Sequence, residues 1–172
     1  MRLFYTILIL CLFSSCSSSY PISSKLGEVS GIETQSRDIF FAINDSGEDP
    51  VLYIMKSDGI IFHKIFIQGA KNVDWEDLSS DDDFLYIGDI GNNRNQRKDL
   101  KIYRVQINDL LEYYIDGELN RNLPDTLKAQ SYAFHYPDQM NFPPEESRMN
   151  FDSEALAYAD GKLLILSKDR SK

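Results

Sequence analysis

Basic residues are scarce in this chain: 18 Lys and Arg stand against 27 Asp and Glu, a net charge of −9 over 172 residues. With no basic surplus to displace phosphate counterions, nucleic acid is excluded as the main partner. There are two histidines, His63 and His135, far apart in the sequence, and two cysteines, Cys11 and Cys16, near the start. That set supplies no zinc-binding spacing and no disulfide framework. Gly27-Glu28-Val29-Ser30-Gly31 has the wrong spacing for a nucleophile elbow. A phosphate-cradling glycine loop, a dinucleotide fingerprint and an EF-hand loop are all missing. What remains is rich in core-forming residues, 42% hydrophobic and 12% aromatic, too apolar for a disordered chain.

The N-terminus reads as an address. Met1-Arg2 is followed by an apolar run from Leu3 to Phe13 and then by Ser14-Ser15-Cys16. A basic start, a short apolar run and small residues make a secretory signal, and a run of eleven residues falls short of the about 20 needed to span a bilayer. Leu12-Phe13-Ser14-Ser15-Cys16 resembles a bacterial lipoprotein signal, which implies cleavage before Cys16, acylation of Cys16 and attachment to a membrane of the cell envelope. Residues 1–15 are then the signal peptide and 16–25, rich in serine, a tether. Cleavage removes one arginine, no acid and Cys11, so the net charge moves from −9 to −10 and no intrachain disulfide is possible.

From residue 26 onward, short β-rich runs alternate with turn residues, and the fold class is all-β. The expected strands are 28–33, 39–43, 51–56, 60–67, 74–79, 84–89, 101–107, 128–136, 153–158 and 162–167, with one helical turn at 108–114. An internal repeat emerges when these are stacked. Glu28-Val29-Ser30-Gly31-Ile32 aligns with Asp74-Trp75-Glu76-Asp77-Leu78 and with Asp152-Ser153-Glu154-Ala155-Leu156. Each is followed by an apolar second strand that ends near an acid: Asp45, Asp89 and Asp169. The first two units start 46 residues apart, near the about 40–50 of one four-stranded propeller blade. The second spacing is 78, the excess falling in a proline-bearing stretch between Tyr114 and Asn150. These units predict a β-propeller of four-stranded antiparallel blades over 26–172, incomplete at about two and a half blades, and hence the front portion of a longer chain.

Asn44-Asp45-Ser46-Gly47, Asp74-Trp75-Glu76-Asp77-Leu78, Gly88-Asp89-Ile90-Gly91-Asn92-Asn93, Tyr136-Pro137-Asp138 and Asp152-Ser153-Glu154-Ala155-Leu156 together resemble the recurring motifs of bacterial secreted and lipoprotein β-propellers. That group is similar at a distance to the SdiA-regulated and esterase-like phytase propeller families. The resemblance implies six blades when complete and an envelope location.

In an antiparallel blade, the loop leading into the first strand and the loop leaving the second lie at one end of the sheet. Asp74, Glu76, Asp152 and Glu154, with Asp45, Asp89, Asn92, Asn93 and Asp169, are therefore expected around one mouth of the channel. Asp81-Asp82-Asp83 is expected at the far end as a solvated turn. Calcium accepts about six to eight oxygen ligands, so Glu76, Asp89, Glu154 and Asp169 are candidate calcium ligands. Asp45, Asp74, Trp75, Asn92, Asn93 and Asp152 are the candidate ligand face. The same acids and amides also suit a structural role, accepting backbone N–H bonds that fix neighbouring blades. Two functions are open at this point: a lipid-anchored binding or scaffold module with an unknown ligand or protein partner, and a calcium-dependent hydrolase of an ester, lactone or phosphoester.

Overall fold

In the computed structural model the described residues are 21–36, 38–115 and 118–171. Cys16, the signal segment 1–15 and the first part of the tether lie outside them. The first sheet is built from β1 (Val29–Thr34), β2 (Ile39–Asn44), β3 (Val51–Lys56) and β4 (Ile61–Gln68), an antiparallel meander in chain order. The second starts with β5 (Trp75–Ser80), β6 (Phe84–Asp89) and β7 (Lys101–Gln106). A short helix, α1 (Ile107–Leu111), then leads to a small hairpin of β8 (Tyr114–Ile115) and β9 (Glu118–Leu119). Next come β10 (Thr126–Lys128) and β11 (Gln130–Ala133), and the chain ends in a hairpin of β12 (Asp152–Ala159) and β13 (Lys162–Lys168).

The stretch 128–136, expected as one strand, is broken: Lys128 ends β10, Gln130–Ala133 form β11, and 134–136 are not strand. β10 pairs in parallel with β4, completing a five-stranded first sheet, and β11 pairs antiparallel with β7, completing a four-stranded second sheet. One residue, Ala129, separates them, so the chain changes sheets there and stitches the two together. The elaborated segment thus covers an edge of the first sheet that would otherwise offer unpaired backbone groups. The architecture is all-β with several open sheets; none closes on itself among the described residues.

Local chemistry explains the strands and their turns. Branched and aromatic side chains fill β2, β3, β4 and β6, which suits a pleated, buried surface. The β12–β13 hairpin closes through Asp160-Gly161, both with positive φ (50° and 74°), between the paired Ala159 and Lys162. Positive φ at both central residues is the two-residue turn whose twist matches the flanking strands, and aspartate followed by glycine suits it. In the β5–β6 turn, Asp81 accepts the N–H groups of Asp83 and Phe84 at 2.9 and 2.7 Å and the Tyr86 hydroxyl at 2.6 Å. That acid run is a turn, with Asp82 and Asp83 exposed.

The main core lies between the first two sheets. Ile39, Phe41, Ile43, Leu52, Ile54 and Ile65 meet Trp75, Leu78, Leu85, Ile87, Tyr103 and Val105, all buried. A smaller core joins the second sheet to the last hairpin, where Tyr86, Ile90 and Ile102 pack with Leu156 and, half-buried, Leu163 and Ile165. Each large apolar side chain so buried contributes about 1.5–3 kcal/mol before the cost of ordering it. The first strands of the three units consequently lie in series, β1 against β5 and β5 against β12.

Candidate cation site

The site begins with a distortion shared by the three units. Strand register slips between Val29 and Gly31, between Trp75 and Asp77, and between Ser153 and Ala155. The bulged residues are Ser30, Glu76 and Glu154, the same position of the repeat each time. A bulge adds one residue, bends the strand and re-aims its side chain. Here it turns Ser30, Glu76 and Glu154 toward one shallow cleft of about 360 Å³, lined also by Gly27, Glu28, Val29 and Asp45.

Three carboxylates converge on that cleft. Oxygens of Asp45, Asp74 and Glu76 all lie within 4.8 Å of one another, each side chain half-buried. Among the described residues, no Lys or Arg nitrogen lies within 4 Å of any of the three. Burial, then the charge of Asp45, pushes Asp74 up to about 6, with Arg97 opposing and Asp152 adding. Burial pushes Glu76 further, to about 8, helped by Asp45, Asp74, Glu154 and Asp152. Crowded carboxylates in a half-buried place resist ionisation, and a cation among them reverses that balance.

Gly91 makes the crowding possible. A Cβ there would fall 2.5 Å from Asp74 Cγ and Oδ2 and would collide with Glu76 Oε1. Its N–H donates to the Asp74 carbonyl at 3.1 Å, which holds the loop against the acids. Any side chain at position 91 would occupy the space in which the carboxylates sit.

The neighbouring acids are arranged differently. Asp89 is buried, accepts the Asp74 N–H at 3.1 Å and meets Arg97 at 2.9 Å. Burial raises its proton affinity and Arg97 opposes that. Arg97 also donates to the Gly91 carbonyl at 2.8 Å, so this pair anchors the loop that carries Gly91. Asp152 is fully buried, accepts the Asn92 N–H at 2.6 Å and is paired with Arg170. Asn92 in turn accepts the N–H groups of Gln96 and Arg97 and donates to the Phe151 carbonyl. Arg170 also bonds Glu154 at 2.9 Å and Asn93.

Of the four candidate calcium ligands, Glu76 and Glu154 share the cleft, and Glu154 there is ion-paired with Arg170 and Lys168. Asp89 faces Arg97 instead. Asp169 is exposed, bonds the Ser171 N–H at 2.8 Å and lines another depression with Asp138, Arg148 and Asn150. Of the expected ligand face, Asp45 and Asp74 are at the cleft, Asn93 is exposed beside it, and Asn92 and Asp152 are buried pegs.

Trp75 is a correction: it is fully buried, with its Nε1–H donating to the Lys71 carbonyl at 3.0 Å and its ring 6.0 Å from that of Tyr103. The bulge at Glu76 breaks strict alternation and puts Trp75 on the same core face as Leu78. Sequence reasoning missed Ser30, Arg97 and Arg170, and it took Gly91 for a turn glycine with positive φ, which Gly91 does not have. Ser30 sits at the repeat position of Glu76 and Glu154, a signal present in the alignment of units; the two arginines carry no local pattern.

No family model, curated protein or solved structure matches this chain.

Proposed function

We propose that this chain is a lipid-anchored module of the bacterial cell envelope, of propeller type, whose sheet ends form an acidic cleft that holds a calcium-like divalent cation and presents a ligand-binding face around it. The observation that carries the cation reading is the convergence of Asp45, Asp74 and Glu76 opposite Gly91, with no Lys or Arg within 4 Å among the described residues. Support for the propeller reading comes from the bulge repeated at Ser30, Glu76 and Glu154 and from the serial packing of β1, β5 and β12. Support for the lipid anchor is the Leu12-Phe13-Ser14-Ser15-Cys16 motif.

Hard oxygen donors fit calcium, which takes carboxylates, carbonyls and water in irregular geometry. Asp45, Asp74 and Glu76 are the residues that would hold it, and binding would displace the protons that their crowding retains. The test is thermal unfolding of EDTA-treated protein with added calcium. A ligand at a hundred times its Kd stabilises by about 2.7 kcal/mol, a rise of roughly 5–10 °C for a domain of this size. An unchanged Tm at millimolar calcium would remove the cation reading.

A second reading, a calcium-dependent hydrolase, is favoured by one feature: Asp74 and Glu76 hold protons to about 6 and about 8, values set apart by their surroundings. Neighbouring carboxyls with separated proton affinities suit acid and base roles. Hydrolysis of a chromogenic ester or phosphoester that disappears in Glu76→Gln would favour it over binding alone.

A further inference from the structure

The residues just before β1 pack on the first sheet. Leu26 is buried among Ala42, Val51, Tyr53 and Met55, and the Asn44 side chain donates to the Lys25 carbonyl at 2.9 Å. Ser24–Leu26 form a single 3-10 turn, in which the Leu26 N–H donates to the Ser23 carbonyl at 2.9 Å. Upstream, a Cβ on Gly59 would fall 2.9 Å from the Pro21 carbonyl oxygen and 3.5 Å from Ile22 Cα, so residues 21 and 22 lie against the β3–β4 turn. Gly59, at a φ of 79°, is suited to that turn and leaves the room for this approach.

Strand register then says at which end of the sheets the chain enters. Thr34 lies opposite Phe40 and Ile39 opposite Lys56, so the β1–β2 and β3–β4 turns share one end. Gln35 donates to the Ser80 hydroxyl there at 2.7 Å, which brings the β5–β6 turn to the same end. Val29 pairs with Asn44 at the other end, where Asp45, Asp74 and Glu76 meet. Pro21 therefore joins the fold at the end remote from the cleft. Along the six residues of β3, at about 3.4 Å each, the two ends are about 20 Å apart. Five residue steps separate Cys16 from Pro21, and a fully extended chain of that length reaches no further than about 18 Å.

We propose that the β1–β2, β3–β4 and β5–β6 turns face the membrane that holds Cys16, and that the acidic cleft opens away from it. Turned the other way, with the exposed residues Ser46 to Asp49 against the lipid, Pro21 would stand beyond the reach of the tether. The membrane-facing end carries Asp38, Asp58, Asp82 and Asp83, so attraction to anionic headgroups does not set this orientation; the short tether does. The cleft, about 20 Å out, is well beyond the Debye length of about 8 Å at physiological salt, so lipid charge does not reach it. Its cation and its ligand come from the aqueous compartment, not from a headgroup beside the anchor. The inference rests on the lipid-anchor reading and on the path from Cys16 to the first two sheets, and it holds whether or not the cleft binds calcium.

The experiment uses the full chain, made in a bacterial host so that its own signal is processed, and reconstituted in phosphatidylcholine vesicles. With Cys11 removed and Cys16 acylated, Ser57→Cys in the β3–β4 turn and Ser46→Cys beside the cleft each add one free thiol for a fluorophore; both serines are exposed. Lipid bearing a nitroxide on its headgroup, a short-range quencher, is expected to remove most of the emission at position 57. Emission at position 46 is expected to stay close to its value in vesicles without nitroxide. A Gly/Ser insert of about 20 residues after Ser19, with a reach of about 25 Å, is expected to make the two positions alike. Quenching at position 46 that equals or exceeds that at position 57 with the natural tether overturns the proposal. A difference that survives the insert also overturns it, because a surface contact would then set the orientation. Mass spectrometry of the purified chain distinguishes the other failure: a Cys16 without acyl groups refutes the anchor reading itself, and this inference with it.

Discussion

Two sets of acids gather at the same end of these sheets, and they are treated oppositely. Asp89 and Asp152 are buried, each faces an arginine and each accepts a backbone N–H. Asp45, Asp74 and Glu76 are half-buried and have one another for company. The first set resembles the buried, hydrogen-bonded ion pair, whose members are costly to separate. The second has the form of a site, because its unfavourable charge is arranged rather than relieved. A carboxylate's presence near a sheet end says little about its role; the cation beside it, or the lack of one, decides.

The contrast is broken most forcefully at Asp152. Asp152→Ala leaves Arg170 and the Asn92 N–H without their acceptor, and urea unfolding is expected to show a loss of about 3–5 kcal/mol. Asp45→Ala, measured alongside, is expected to be neutral or slightly stabilising without calcium. Equal losses in the two would erase the distinction.

Gly91→Ala comes next. Its methyl group would press on Asp74 and Glu76, with an expected cost of about 1–3 kcal/mol and a vanished calcium response. Full calcium stabilisation in this variant would show that the ion does not sit between Asp74 and Glu76.

A smaller effect sharpens the comparison. Glu76→Gln keeps the shape and removes the proton dependence, so at pH 8 without calcium its Tm is expected to exceed wild type by about 2–4 °C. The pH profile is the subtlest check. Between 4.5 and about 8 the native state holds a Glu76 proton that the unfolded chain has released, and Asp74 does the same between 3.8 and about 6. Raising pH across that window therefore favours unfolding, so EDTA-treated wild type should lose stability from pH 5 to 8. Glu76→Gln should flatten most of that slope. A slope of opposite sign would mean that the acids are already compensated.

Much of this was legible in the residues. The five-residue motifs at 28–32, 74–78 and 152–156 gave the repeat, and alternation gave most strands, because period-two patterning is local. Asp45, Asp74 and Glu76 gathered as the strand-end geometry requires. The rest depended on longer-range partners. Arg97 and Arg170 distinguish Asp89 and Asp152 from the cleft acids, yet nothing in their local sequence says which carboxylate each reaches. Trp75, a ligand-face candidate by its place at the strand end and a core residue by its type, is core, because one bulged residue reverses the facing of everything before it. The break at Ala129 was hidden for a similar reason: both halves are good strand sequence, and only the position of two sheets separates them.

Calorimetric titration of calcium into EDTA-treated protein at pH 7, beside the Asp74→Asn/Glu76→Gln variant, tests the central claim most directly. The expected result is one ion bound per chain in wild type, with proton release, and none in the variant. Binding of equal strength in both, or absence of binding in wild type, would contradict it.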